Sequence, residues 1–262
     1  MRTQVLLLDA GNTRLKWAVV DLARASAKPA EVGLSESDAW LGQGATAYHE
    51  LAPWVEHWQQ WGTLSACYGV RVAHDASILT LQRALAPLGL EIRWLSAGER
   101  AGGVHNTYLP PQSLGADRWA ALVAVRQRTA ESAVVVSAGT ALTVDALDAG
   151  GDFLGGMILP GLQMMRHALG QDTANIGMQY GKLQAFPNTT ADAVESGLIS
   201  ACTGAIATMQ ANLEKKSGSA PRIFLTGGDG ASLRFFLPAG LTIVPGLVLE
   251  GVYYLSLEEQ AQ

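Results

Sequence analysis

The first apolar run of the chain, Val5-Leu6-Leu7-Leu8, ends in Asp9 and continues as Ala10-Gly11-Asn12-Thr13-Arg14-Leu15-Lys16. A glycine turn of this kind can present backbone N–H groups at close range, because no Cβ holds a ligand off. Phosphate oxygens need such donors. Thr13 adds a hydroxyl, and Arg14 and Lys16, two residues apart on one strand, point positive charge to one face. Asp9 repels phosphate unless a divalent cation or its water shell stands between them. The segment therefore reads either as a metal-assisted phosphate turn or as an ordinary hairpin. A second copy lies near the middle of the chain: Val134-Val135-Val136-Ser137-Ala138-Gly139-Thr140-Ala141-Leu142-Thr143-Val144. Each copy is an apolar strand, a polar residue, Ala-Gly, a small hydroxyl-bearing cluster and a second strand. The repetition favours phosphate binding and points to two related lobes, 1–114 and 115–262, with one hairpin each.

Gly115-Ala116-Asp117-Arg118 opens a helical stretch. An aspartate in the first helical turn commonly serves as a cap. Arg118 opposes the helix macrodipole there, which suits a ligand carboxylate or phosphate instead. Asp117 beside it could receive a hydroxyl proton in phosphoryl transfer. The stretch follows a long loop, 96–114, that carries Tyr108. Two later glycine clusters, 155–161 and 226–230, suit either tight turns or close approach to a sugar or a flat base. Other nucleotide signatures fail. There is no GxxxxGK[ST], and Gly42-Gln43-Gly44-Ala45-Thr46-Ala47 has dinucleotide spacing without a preceding strand or a following helix. The histidines show no HExxH spacing, and no GxSxG is present.

Short apolar runs alternate with helical periodicity, which is the α/β pattern. Strands are expected at 5–8, 15–20, 64–72, 91–95, 133–136, 142–147, 153–159 and 222–225. Helices are expected at 51–62, 76–86, 116–128, from 162, at 191–215 and at 247–258. Residues 21–50 carry no clear pattern. Trp54, Trp58 and Trp61 fall on one helical face and read as core or interface. The chain has 262 residues, 48% hydrophobic and 16% charged, with 29 glycines and a net charge of −5. Disorder is excluded by so few charges on so apolar a chain, and the acidic balance argues against nucleic acid as a partner. The charge-free stretch 196–213 is too polar for a membrane and reads as a buried helix. Cys67 and Cys202 are isolated and read as free thiols of a reducing cytoplasm. The apolar run after Met1 is too short for a signal-peptide core.

Taken in order, these segments resemble type III pantothenate kinase, a family of the acetate-kinase, sugar-kinase, heat-shock-ATPase and actin superfamily. Residues 9–16 resemble its first phosphate motif, Tyr108 with 114–118 its substrate loop, and 139–145 its second phosphate motif. The clusters 155–161 and 226–229 resemble its later glycine signatures, and 188–197 its pantothenate segment, with Thr190 in register. The resemblance implies an α/β fold of two ribonuclease-H-like lobes with an ATP cleft between them, in a cytoplasmic homodimer. It implies that Asp9, Ala10, Gly11, Asn12, Thr13, Arg14, Leu15, Lys16 and Thr140 hold ATP, with Asp9 organising Mg²⁺ through water. Tyr108, Gly115, Ala116, Asp117, Arg118 and Thr190 would hold pantothenate, and Asp117 would accept the hydroxyl proton. The family binds a monovalent cation, K⁺ or NH₄⁺, through an aspartate of the second phosphate motif. Here Ser137 stands at that position, and a neutral hydroxyl is a poorer cation ligand. The implied reaction is ATP-dependent phosphorylation of pantothenate to 4′-phosphopantothenate, the first step of coenzyme A biosynthesis. Three alternatives stay open. One is a kinase acting on a sugar or acetate. Another is an accessory protein such as the Bvg accessory factor of the same sequence family. The third is an actin-like or chaperone-like ATPase, against which the short chain weighs.

Overall fold

The structure, a computed structural model, describes residues 4–24, 33–173, 176, 179–237 and 240–261. They divide into two compact units, Met1–Ala130 with Gly246–Gln262, and Glu131–Pro245.

The first unit is built on β1 (Gln4–Ala10), β2 (Leu15–Asp21), β3 (Trp40–Thr46), β4 (Leu64–Arg71) and β5 (Ile92–Trp94), in the sheet order β3-β2-β1-β4-β5. β1, β2 and β3 are antiparallel neighbours, whereas β4 and β5 add in parallel. Two helices, α1 (Ala52–Gln59) and α2 (Asp75–Leu85), supply Trp58, Ile78, Leu81 and Leu85 to a core with Leu6, Leu8 and Trp17 of the sheet. The tryptophan stripe is thus core: the Trp17 ring lies 5.0 Å from Trp54, 5.8 Å from Trp58 and 5.7 Å from Trp61. These rings also account for the glycines of β3. A Cβ on Gly42 would come within 2.6 Å of Trp61, and one on Gly44 within 2.8 Å of Trp17. Residues 42–46 of the stretch with dinucleotide spacing therefore lie in a strand whose glycines make room for indoles.

The unit continues through β6 (Arg100–Ala101), β7 (Val104–Asn106) and α3 (Ala116–Arg128), and it closes with the C-terminal helix α7 (Leu247–Ala261). Gly251 lets α7 lie directly on the Ala120 carbonyl of α3, where any Cβ would overlap it. At the far end of α3, Arg128 Nε and Nη2 donate to the two carboxylate oxygens of Glu250 at 2.8 and 2.6 Å, and Glu250 is fully buried. Because α3 shares its buried face with α7, the compact units part after residue 130 and the C-terminus returns to the first. An expected division after residue 114 places α3 with the other half.

The second unit repeats the plan. Its strands β8 (Ala133–Ala138), β9 (Ala141–Leu147), β10 (Asp152–Pro160), β11 (Arg222–Thr226) and β12 (Thr242–Ile243) run in the order β12-β11-β8-β9-β10. Again three antiparallel neighbours are followed by two parallel additions. Both sheets have the ribonuclease-H-like order, in keeping with the sequence repeat. Helices α4 (Leu162–Asp172), α5 (Thr190–Ser217) and α6 (Gly230–Leu233) accompany this sheet. Val194, Leu198, Cys202, Ile206, Met209 and Leu213 form the buried stripe of α5. Their spacing of three or four residues is that of one helix face. Among the described residues no helix is long and apolar enough to cross a membrane. Cys67 and Cys202 are free and buried.

Candidate active site

In the first unit, antiparallel pairing sets Asp9 opposite Lys16. Lys16 Nζ lies 2.9 Å from Asp9 Oδ2, with Asp9 only 4% exposed. The Lys16 ammonium is held above its ordinary value chiefly by Asp9, against the opposing pull of burial, and Asp117 adds to the effect. The turn itself is tight: the Gly11 N–H donates to the Asp9 carbonyl at 3.1 Å, and a Cβ on Gly11 would sit 3.1 Å from the Arg14 carbonyl. Asn12, Thr13 and Arg14 form its exposed tip. Tyr48 clamps the turn by donating its hydroxyl to the Gly11 carbonyl at 2.8 Å. Burial, and secondarily Asp9, push the Tyr48 phenol up to about 12, so it stays a donor at neutral pH. Tyr48 lies in the patternless stretch 21–50, and its contact with Gly11 arises only when the chain folds.

Gly115 is the N-cap of α3 and offers no side-chain cap. Its missing Cβ leaves room for Asp117, whose Oδ1 would lie 2.8 Å from that atom. Asp117 Oδ1 accepts from the Arg118 backbone N–H at 2.8 Å, so the carboxylate does satisfy one N–H of the first helical turn. It is more than a cap. Burial, then the charge of Asp9, raises the Asp117 carboxyl above the ordinary carboxylate range, in spite of the Arg118 N–H and guanidinium. A carboxyl that resists ionisation is a stronger base once ionised. Arg118 is buried, and its Nη1 donates to the Tyr108 hydroxyl at 3.0 Å with the guanidinium carbon 5.4 Å from the ring centre. Thus Asp9, Gly11, Lys16, Tyr108, Gly115, Ala116, Asp117 and Arg118 all belong to one unit.

Thr140 and Thr190 belong to the other unit. Thr140 is the exposed tip of the β8–β9 turn. Below that turn Ser137 pairs with Thr143 on one side and Thr226 on the other. The turn is packed backbone against backbone. The Gly161 N–H donates to the Thr140 carbonyl at 2.9 Å, and a Cβ on Gly161 would overlap the Gly139 carbonyl. Gly227, at φ +97°, presses on the Ala138 carbonyl in the same way, and the Asp229 N–H donates to that oxygen at 3.0 Å. The later glycine clusters therefore buttress the second turn. Thr190 is exposed at the first position of α5, where Thr189 Oγ1 accepts from the Asp192 N–H at 3.2 Å as the cap.

Among the described residues no group of three or more His, Cys, Asp or Glu converges. Mg²⁺ needs no such cage, because it keeps several waters and commonly takes one or two carboxylates plus substrate phosphates. A single buried carboxylate beside a glycine turn fits that donor set.

The family profile of type III pantothenate kinase matches residues 5–212. The type III pantothenate kinase of Thiobacillus denitrificans is 40% identical over 247 residues, covering 94% of each chain. That of Laribacter hongkongensis is 37% identical over 257 residues, covering 96% of this chain and 98% of the relative. Among solved structures, a Campylobacter jejuni protein described as a Baf family transcriptional activator superposes with a TM-score of 0.58 at 22% identity. It covers 98% of this chain and 100% of its own. The activator of 2-hydroxyisocaproyl-CoA dehydratase from Clostridium difficile, with bound ADPNP, gives a TM-score of 0.50 at 11% identity over 99% and 97% of the two chains. These two likenesses concern the fold, whereas the profile and the sequence relatives concern descent, and by them the chain belongs to the type III pantothenate kinase family.

Proposed function

We propose that the chain transfers the γ-phosphate of ATP to the primary hydroxyl of pantothenate, giving 4′-phosphopantothenate for coenzyme A synthesis. The observation that carries this reading is Asp117. Its carboxyl is raised by burial and by Asp9, and its neighbour Arg118 is a buried guanidinium joined to Tyr108. Arg118 and Tyr108, with Gly115 and Ala116, bind the acid substrate. The guanidinium meets its carboxylate, as Arg commonly does. Asp117 aligns the hydroxyl and takes its proton. Phosphoryl transfer is largely dissociative, so alignment and late proton capture are the parts left to the protein.

Residues 9–16 hold the phosphates of ATP through turn N–H groups and the Lys16 ammonium. Asp9 would hold Mg²⁺ through water, and the metal would neutralise charge on the phosphate oxygens. Lys16, 2.9 Å from Asp9, offsets part of the repulsion between that carboxylate and the phosphates. Ser137 brings no formal charge to the second turn, so we infer that the dependence on K⁺ or NH₄⁺ implied by the family is weakened in this chain.

The same reading makes the enzyme a cytoplasmic homodimer. Tyr180, Leu183 and Phe186 are exposed within one short segment, which suits an apolar face that a second copy covers. Sedimentation checks the dimer: a monomer at micromolar concentration contradicts it. The acceptor is tested by offering pantothenate, acetate and hexoses in parallel with ATP and Mg²⁺. Phosphorylation of pantothenate alone is expected, and turnover of acetate or a hexose in its place overturns the assignment.

A further inference from the structure

We infer that Asn106 is the positioning residue of the acceptor site, through which the loop carrying Tyr108 is locked before substrate arrives. Asn106 ends β7 and is only 3% exposed. Its Nδ2 donates to the Gly98 carbonyl at 3.0 Å and to the Pro111 carbonyl at 2.9 Å, and its Oδ1 accepts from the Tyr108 N–H at 3.1 Å. One carboxamide thus ties both shoulders of a long loop and fixes the backbone of the aromatic residue between them. A side-chain amide has two donors and one acceptor group, so this pattern engages all of them. The Asn106 backbone N–H also donates, to the Glu99 carbonyl at 2.9 Å. Among uncharged side chains only glutamine carries the same donor and acceptor set, on a stem one methylene longer.

The chain of contacts continues from Tyr108 to Arg118, whose Nη1 donates to the Tyr108 hydroxyl. Arg118 directly follows Asp117 on α3. Loss of the Asn106 amide removes the acceptor of the Tyr108 N–H and with it one of the restraints on the guanidinium, while the Asp9–Lys16 turn keeps its own clamp, Tyr48. The consequence is selective: acceptor affinity suffers and nucleotide affinity does not. This inference rests on the kinase reading above, since it deepens the role of the same acceptor site.

The test uses the full chain with Asn106→Ala and Asn106→Ser, each assayed at varied pantothenate and varied ATP. Misplacement of a substrate-holding group by about 1 Å costs up to ~100-fold, so KM for pantothenate should rise about 10–100-fold with KM for ATP unchanged. Tyr108→Phe is then combined with each variant. Because Asn106 acts through Tyr108, the double variants should lose little more than the worse single one. Parallel rises in both KM values, an unchanged KM for pantothenate, or full additivity with Tyr108→Phe would each overturn the inference. If the alanine variant does not fold, the serine variant, which keeps a smaller polar group at the site, decides by the same readings. Wild-type protein that consumes no pantothenate defeats the kinase reading itself, whereas an active wild type with unaffected Asn106 variants defeats only this inference.

Discussion

At the turn between β1 and β2 a carboxylate faces an ammonium, whereas at the corresponding register positions between β8 and β9 a serine faces a threonine. The first turn adds side chains to its main-chain bonds: beside the Val72 and Ala73 N–H groups on the Ala10 carbonyl it has the Asp9–Lys16 pair and the Tyr48 hydroxyl. The second is held by main chain, with Gly161 and Gly227 against the carbonyls of residues 138–140. The two hairpins share a strand order and a sequence pattern, yet they offer a polyphosphate different things. The first can manage charge, because a buried carboxylate can recruit a cation while the lysine offsets the remaining repulsion. The tip of the second, Gly139 and Thr140, offers neutral donors at a fixed position. A duplicated fold can thus keep its geometry in both halves while ionic chemistry is concentrated in one.

Charge removal on the first hairpin should therefore cost rate. Asp9→Ala is expected to lower kcat/KM for ATP by about 10²–10³-fold, the usual cost of deleting one preorganised electrostatic group, and to weaken the response to Mg²⁺. Titration of activity against Mg²⁺ checks this, and an unaltered metal response would break the contrast between the turns. Crowding the second hairpin should instead cost stability. Gly161→Val places a side chain on the Gly139 and Thr140 carbonyls and should destabilise by about 2–3 kcal/mol, as overpacking does, seen by thermal melting. Gly11→Ala meets only the Arg14 carbonyl and should cost less than about 1 kcal/mol. Equal losses at the two glycines would remove the distinction.

A smaller effect concerns pH. Asp117 must be ionised to take a proton, and burial and Asp9 hold its carboxyl above the ordinary ~3.9. Activity should be lost as pH falls through that raised value. Asp9→Asn removes one of the two causes, so the acid limb of the residual kcat/KM profile should move to lower pH; movement upward contradicts the coupling. The stability consequence has the opposite face. The folded protein binds the Asp117 proton more tightly than the unfolded chain, so stability from this site is present at low pH and is lost as pH rises from the ordinary carboxylate value through the raised one. The least effect is expected from exchanging K⁺ for Na⁺, which should change wild-type turnover only slightly. A large loss of activity in Na⁺ would mean that the Ser137 turn handles charge after all.

The parts of the molecule that sequence made visible are those with their own periodicity. The 116–128 helix, the paired apolar runs about Gly11 and Gly139, and the α5 stripe are local patterns that packing then used. β3 was not legible, because its glycines answer to Trp17 and Trp61 on other elements. Nor were β6 and β7 within the loop 96–114, since strands of two and three residues carry too few side chains to show alternation. Among site residues, Asp9, Lys16, Asp117 and Arg118 announced themselves by charge beside glycine. Tyr48 and Asn106 did not, because each acts on a backbone atom that only folding brings near. The clusters at 155–161 and 226–230 were visible as close approaches, but the partner approached at Gly161 and Gly227 is backbone of the second turn.

The most direct test follows ADP and 4′-phosphopantothenate together, with ATP, Mg²⁺ and pantothenate, for the wild type and Asp117→Asn. A positioned base contributes about 10²–10⁴-fold. Wild-type protein should form the two products in equal amounts, and Asp117→Asn should be slower by about that factor while still binding ATP. ADP formed without phosphorylated pantothenate, or an Asp117→Asn variant that turns over at the wild-type rate, would contradict Asp117 as the base of a pantothenate kinase.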